Sequence, residues 1–313
     1  MKKINVISIG SGAVGNSFLY SAINQGLSGS YGIIDINKKV RDGNVLDFED
    51  ASWTNQRTFN IYSAEYKDLK NADFVVISAG RPQKPGETRL QLVEGNVAIM
   101  HEIATQVKKS GFKGIAIIVS NPLDIMTYAF WKYSGLPKNK VIGSGTTLDT
   151  ARLRHYIGSR AGVSPKAIQA YVLGEHGDSS VVAFSQIKIE SVPLKKLEKI
   201  HKITESNYEK LLEEPVRRKA YEIIDRKGAT YYGIGNCVAG ILRAIIDDSN
   251  EVLPVSTYLN GEYGVKDIFT GVPSVLTRDG VKMILELDLN SKEKKKFSES
   301  IKILKQFVNK YVK

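Results

Sequence analysis

The stretch Ile4-Asn5-Val6-Ile7-Ser8-Ile9-Gly10-Ser11-Gly12-Ala13-Val14-Gly15 decides how the rest of the chain is read. Its first half is a short apolar run, too short for a helix and rich in Ile and Val, as strands buried on both faces tend to be. Glycines at positions 10, 12 and 15 follow directly, and a helical pattern opens behind them. In that context Gly10 permits a tight turn, Gly12 lets a pyrophosphate approach the backbone, and Gly15 lets helix and strand pack closely. Ala13 and Val14 begin a helix whose free amides and positive dipole end face the phosphates. A glycine-rich turn alone is a weak signal, since such turns also serve purely structural ends. Asp35 changes the balance. It closes the second apolar run, 20 residues beyond Gly15, where a carboxylate accepts hydrogen bonds from the adenine ribose hydroxyls and repels a 2′-phosphate. Together these residues predict a dinucleotide site that takes NAD over NADP.

Outward from this turn, short apolar runs alternate with helical patterns at Tyr31 to Ile34, Asp73 to Ser78, Ile115 to Val119 and Val141 to Ile142. That rhythm predicts a Rossmann-type, doubly wound parallel sheet. Past about Gly143 it changes. A helical stretch carrying Arg152, Arg154 and Arg160 leads to a long helical pattern from about Leu194 to Lys227, which Pro215 is expected to kink or break. A helix through Ile241 to Ile246, short strands with turn signals at Asn260-Gly261 and Asp279-Gly280, and a basic amphipathic helix complete the chain. The expected architecture is α/β: an NAD-binding domain over 1–143, then an α+β catalytic domain with antiparallel strands over 144–313.

The chain has 313 residues, 42% of them apolar and 25% charged, enough for one large core or two medium ones. Its formal charge of +11 is compatible with nucleic acid, an anionic membrane surface or small anionic ligands. The lysines are scattered and cluster only in short stretches such as Lys294 to Lys296, without zinc-finger spacing or aromatics interleaved with arginines, which argues for small anions. Cys237 is the only cysteine, so an internal disulfide and a cysteine-based metal site are excluded, and a reducing, cytoplasmic compartment fits. No metal is expected. No apolar run approaches the roughly 18 residues of a membrane helix. Asn5 and Ser8 interrupt the one stretch that imitates a secretory signal.

The densest chemical signal is Gly174-Glu175-His176-Gly177-Asp178-Ser179, preceded by the apolar Tyr171 to Leu173. A histidine among glycines is often only a turn residue. What raises it is Asp149 with Arg152 in Gly145-Thr146-Thr147-Leu148-Asp149-Thr150-Ala151-Arg152, three residues apart in a helical pattern and so on one face. A surface ion pair is the commoner fate of such spacing.

With Val119-Ser120-Asn121-Pro122, Gly143-Ser144-Gly145-Thr146 and Pro254-Val255-Ser256 added in order, the chain resembles the L-lactate and malate dehydrogenase family along essentially its whole length, and within it the bacterial L-lactate branch. The resemblance implies that His176 is the proton donor in reduction of a 2-oxo acid and the acceptor in the reverse direction, with Asp149 orienting the ring and stabilising its charged form. Arg152 would hold the substrate carboxylate through a two-pronged pair that Lys cannot reproduce. Asn121 would position substrate and nicotinamide, and Gly80 and Ser144 join the cofactor contacts. Arg89, in a Pro- and Gly-containing segment expected to be a loop, would polarise the ketone as that loop closes.

Gln83 is the residue expected to choose the substrate. Similar malate dehydrogenases carry arginine there for the second carboxylate, so a neutral amide implies pyruvate over oxaloacetate, with bulkier 2-oxo acids as secondary substrates. Thr230 matches the residue that limits the far side of the pocket, and Ile234 an apolar residue against the nicotinamide. The family commonly forms tetramers, and many bacterial members bind fructose 1,6-bisphosphate through an arginine and a histidine. Arg154 matches the first, but Gln169 stands in place of the second, so weak or absent activation is expected. Because the first strand starts almost at Met1, assembly through an N-terminal arm like that of the animal enzymes is not expected. Malate dehydrogenase is the nearest rival reading. A nucleotide-sensing or nucleic-acid-binding protein on the same fold is a more distant one, because a fold does not fix a function.

Overall fold

The computed structural model describes residues 4–55, 57–81, 89–197, 203, 204 and 206–312. In the first half the strands are β1 (Asn5–Ile9), β2 (Ser30–Ile34), β3 (Asn60–Ser63), β4 (Phe74–Ile77), β5 (Ile115–Ile118) and β6 (Val141–Gly143). All pair in parallel. β4 and β5 are buried at every residue, which is why they read as unbroken apolar runs. β3 lies at the sheet edge with only Ile61 buried; its polar Asn60 and Ser63 leave too little apolar signal to mark a strand from sequence.

The second half contributes the two-residue strands β7 (Ile168–Gln169), β8 (Val172–Leu173), β9 (Val181–Val182), β10 (Lys188–Ile189) and β11 (Val192–Pro193). It also contributes the longer β12 (Val252–Asn260), β13 (Lys266–Thr277) and β14 (Gly280–Ile284). The last three are antiparallel, as the turn glycines predict, but they do not stand apart. One residue pair, Ser256 with Gly143, joins β12 to β6, giving a nine-stranded sheet in the order β14-β13-β12-β6-β5-β4-β1-β2-β3. The short strands form two small antiparallel sheets beside it.

The helices are α1 (Ala13–Asn24), α2 (Lys38–Asp50), α3 (Arg89–Ser110), α4 (Leu123–Ser134), α5 (Thr147–Ala161), α6 (Glu214–Lys227), α7 (Tyr232–Ile246) and α8 (Ser291–Tyr311). One apolar core unites strand residues such as Ile7 and Ile77 with Met100 of α3, Phe130 of α4 and Ile301 of α8. A second joins Val6 and Val76 to Phe18 of α1 and Val238 and Leu242 of α7. A third lies under α5 around Leu153, Ile157 and Leu212. The approach of α7 to α1 needs Gly235, where a Cβ would come within 2.6 Å of the Ser17 carbonyl carbon.

Two expectations need correction. The pattern from Leu194 to Lys227 is not one long helix: a 3-10 turn covers Leu194–Leu197, and a π-helical turn at Glu209–Glu213 runs straight into α6. Pro215 falls in the first turn of α6, where its missing N–H is least costly, and it breaks nothing. Arg89 itself, placed by the sequence reading in a loop segment, is the first residue of α3; the rest of that segment lies outside the described residues.

Candidate active site

The carboxyl ends of β1, β4, β5 and β6 lie side by side in the sheet and bring Gly10, Gly80, Asn121 and Ser144 to one crevice, where open α/β sheets bind ligands. Gly10 turns with φ +103°, a conformation other residues rarely adopt, and a Cβ on Gly15 would lie 2.1 Å from its carbonyl oxygen. Gly12 has nothing within 4 Å of its Cβ direction. As N-cap of α1 it offers no side-chain acceptor to the first-turn amides of Ala13 and Val14. A tight turn, an open approach and uncapped amides are what a bound pyrophosphate requires, so the residues present fit a dinucleotide. Asp35 lies just past β2, with Oδ2 accepting from the Ser11 backbone N–H (2.7 Å) and hydroxyl (3.0 Å) and Oδ1 from the Asn37 N–H (2.8 Å). It therefore shapes the glycine turn.

Asn121 is exposed at the crevice, and its carbonyl accepts the Asn96 side-chain amide at 2.9 Å. Asn96 also accepts the Arg81 N–H at 3.1 Å, so this buried side chain on α3 ties the ends of β4 and β5 together. Sequence reasoning missed it. The available signal was a polar side chain at 5% exposure within an otherwise core-facing stretch, and exposure is not visible in a sequence.

Across the crevice, Gly174 (φ +85°) leaves β8 and exchanges two 3.0 Å backbone hydrogen bonds with Gly271 of β13, setting the turn that carries His176. Two threonines missed by the sequence reading fix α5 against that strand. Thr146 donates its hydroxyl to the Val172 carbonyl (2.5 Å), and Thr150 accepts the Val172 N–H (3.0 Å). As a result His176 Nδ1 meets Asp149 Oδ2 at 2.6 Å, while Arg152 Nη1 lies 3.3 Å from Asp149 Oδ1. The Asp149 and Arg152 side chains are 10% and 8% exposed and that of His176 is 25% exposed, so this is no surface ion pair. The charge of Asp149 raises the His176 pKa from 6.5 to about 9 against burial, which lowers it; the Asp149 hydrogen bond and the charge of Asp124 add to the rise. Burial pushes Asp149 up, yet the charge and hydrogen bond of His176 and the guanidinium of Arg152 outweigh it and hold this carboxyl below its ordinary range.

Arg152 also lines a cavity of about 460 Å³, with Leu148, Lys219, Thr230, Tyr231 and Ile234 among its walls. The structure thus brings Thr230 and Ile234 to the arginine from the start of α7. Arg154 points elsewhere: its Nε donates to the Ala170 carbonyl (3.1 Å) and its guanidinium lies over the Tyr171 ring, 5.3 Å from the centroid. The exposed Gln169 adjoins that carbonyl on β7. Gln83 lies outside the described residues, as does the rest of 82–88, and of Arg89 only its place at the start of α3 is described. No group of His, Cys, Asp and Glu among the described residues could hold a metal ion.

An imidazole that keeps a proton, joined through one carboxylate to an arginine on a cavity wall, in a chain whose glycine turn fits a dinucleotide, is equipment for passing a proton and a hydride to a small 2-oxo acid. That is the work of the nicotinamide-dependent hydroxy-acid dehydrogenases. The chain belongs to the lactate/malate dehydrogenase family: the family's NAD binding domain matches residues 2–143, and its alpha/beta C-terminal domain matches residues 146–313. It is an NAD-dependent oxidoreductase. The L-lactate dehydrogenase of Mesomycoplasma hyopneumoniae strain 232 is 56% identical over 304 residues, covering 97% of this chain and 96% of its own. That of Mycoplasma pneumoniae is 52% identical over 306 residues, covering 97% of each. Among solved structures, the minor L-lactate dehydrogenase of Enterococcus mundtii in its ligands-bound form superposes with a TM-score of 0.96 at 43% identity, covering 99% of each chain.

Proposed function

We propose that this protein catalyses the reversible reduction of pyruvate to L-lactate by NADH, a reaction that serves fermentation by re-oxidising the NADH of glycolysis. The observation that carries the reading is the single buried carboxylate of Asp149 held between His176 and Arg152. When bound, NADH supplies the hydride. His176 donates its Nε2 proton to the oxygen that was the ketone and takes it back in lactate oxidation; Asp149 fixes the tautomer through Nδ1 and offsets the ring's charge. Arg152 binds the substrate carboxylate, Asn121 positions substrate and nicotinamide, Arg89 polarises the ketone, and Thr230 and Ile234 bound the remaining space. Gly10, Gly12, Ala13, Val14, Gly15, Asp35, Gly80, Asn121 and Ser144 hold the dinucleotide.

Gln83 supplies no positive charge for a second carboxylate, which favours pyruvate over oxaloacetate. At an effective dielectric of about 20, two charges ~4 Å apart interact by roughly 4 kcal/mol before desolvation, a large margin for discrimination. The deciding test is NADH oxidation with each acid in turn. Pyruvate is expected to give the higher kcat/KM, Gln83→Arg to move preference toward oxaloacetate, and Arg89→Gln to lower kcat strongly. A wild-type preference for oxaloacetate would make the protein a malate dehydrogenase and overturn the reading.

The division into nucleotide-binding and catalytic parts at residues 143/144 belongs to the same proposal, as do a cytoplasmic location and a homotetramer. Large side chains left exposed on α1, α2 and α7 and on the turn after α2 favour self-association: Tyr20, Leu46, Tyr232 and, at 92% exposure, Trp53. Among the described residues no helix is long and apolar enough to cross a membrane. Because Arg154 is engaged by a carbonyl and a ring, and Gln169 carries no charge, fructose 1,6-bisphosphate is expected to leave the pyruvate KM nearly unchanged.

A further inference from the structure

Asp124 is a buried acid to which the reaction above gives no task. It occupies the first turn of α4, three residues beyond Asn121, and is 2% exposed. Its Oδ2 accepts the backbone N–H of His176 at 2.8 Å, and its Oδ1 accepts the hydroxyl of Ser256 on β12 at 2.6 Å. Both donors are neutral. A carboxylate taken out of water for two neutral hydrogen bonds is a costly way to hold one amide, since an uncharged acceptor would serve with less desolvation. The charge itself therefore calls for a use, and the segment it grips is the one that carries the imidazole.

We propose that Asp124 is a positioning residue for His176: it clamps the main chain of His176 between α4 and β12 and sets a second negative charge near it that favours the protonated imidazole. This rests on His176 being the proton donor. The groups facing His176 are Asp149 and Arg152 from α5, Asp124 from α4, and its neighbour Glu175, whose Oε2 accepts the Ser179 hydroxyl. From α7, Cys237 adds no charge, because burial pushes its thiol up to about 11. Two carboxylates thus hydrogen-bond the histidine, Asp149 at the ring and Asp124 at the main chain, with one guanidinium opposing their charge. Burial pushes Asp124 itself up to about 6, so it is charged where His176 titrates, at about 9.

Asp124→Asn separates charge from clamp. The amide oxygen can still take the His176 N–H, and the NH2 can donate to the Ser256 oxygen, so geometry is retained while the charge goes. The expected result is a fall of about one pH unit in the His176 pKa, since a nearby opposite charge is worth that much or more. It is read by proton NMR titration of the intact protein, with the resonance assigned by comparison with His176→Gln. The basic limb of kcat/KM for pyruvate should move down by the same amount, with NADH affinity unchanged. Asp124→Ala removes the clamp as well and should lower kcat about tenfold at pH 6, where the ring is protonated in every variant. If Asp124→Asn does not fold, the same titration in Asp124→Ala, which also lacks the charge, should show the same fall in the His176 pKa. An unchanged His176 titration in the variant that folds overturns the proposal. Undiminished pyruvate reduction by His176→Gln instead overturns the acid–base reading, and it leaves the NMR comparison standing.

Discussion

Asp149 serves His176 and Arg152 with different oxygens, and the sense of the His176 shift gives a pH dependence that can be checked. Pyruvate reduction needs the protonated ring, so kcat/KM for pyruvate should hold through pH 7 and fall as pH rises toward about 9, while lactate oxidation rises over the same interval. Asp149→Asn should move both limbs down toward 6.5; limbs that stay in place would detach Asp149 from the ring's titration. Because the folded-state pKa lies above the unfolded one, the same pair contributes stability fully below pH 6.5 and loses it as pH climbs through about 9. Arg152→Lys keeps the charge but not the planar fork, and should raise the pyruvate KM about a hundredfold with NADH affinity unchanged, as steady-state kinetics would show. These residues were legible because their motifs, in order, carry the family resemblance; the three positions from Asp149 to Arg152 alone more often mark a surface ion pair. Asp124 and Ser256 were not, because their meeting spans 132 residues and an acid in a helix's first turn is ordinary by itself.

At the scale of elements, Glu213 joins three pieces of structure. It ends the π-helical turn before α6, is 3% exposed, and accepts the Val182 N–H of β9 at 3.2 Å. It also pairs with Lys296 of α8 at 2.9 Å and with Arg217 of α6 at 3.4 Å. Glu213→Ala leaves the buried Val182 N–H without its acceptor, while Lys296 keeps Glu209 and Arg217 keeps the Ser180 carbonyl, so it should cost roughly 1–3 kcal/mol. Chemical denaturation is the direct measure, and a midpoint equal to wild type would show that the cluster is well solvated. Helix boundaries here were the least legible feature. Leu197, Ile200, Ile203, Leu211 and Leu212 recur at helical spacing, but apolar period alone does not separate a 3-10 turn, a π turn and a continuous helix. The glycine turn was read correctly because steric exclusion at Gly10 and Gly15 leaves few alternatives, whereas strand β3 was not seen because an edge needs only one buried residue.

Over the whole molecule, ligand binding couples to stability through the crevice at the strand ends. NADH at a hundred times its Kd should stabilise the fold by about 2.7 kcal/mol. NADPH at the same concentration should do far less if Asp35, held in the turn by both oxygens, meets the adenine ribose as proposed, because its charge repels a 2′-phosphate. Equal thermal shifts with the two cofactors would refute the role given to Asp35. The parallel half of the sheet was legible as a rhythm of apolar runs, and the antiparallel half as turn glycines; that the two share one sheet was not, because a single residue pair makes the seam. That seam bears on any attempt to divide the chain. Cutting after Gly143 would bare the backbone of β6 as a raw margin with unsatisfied donors and acceptors, so a nucleotide-binding half produced alone should be sticky and prone to self-pairing.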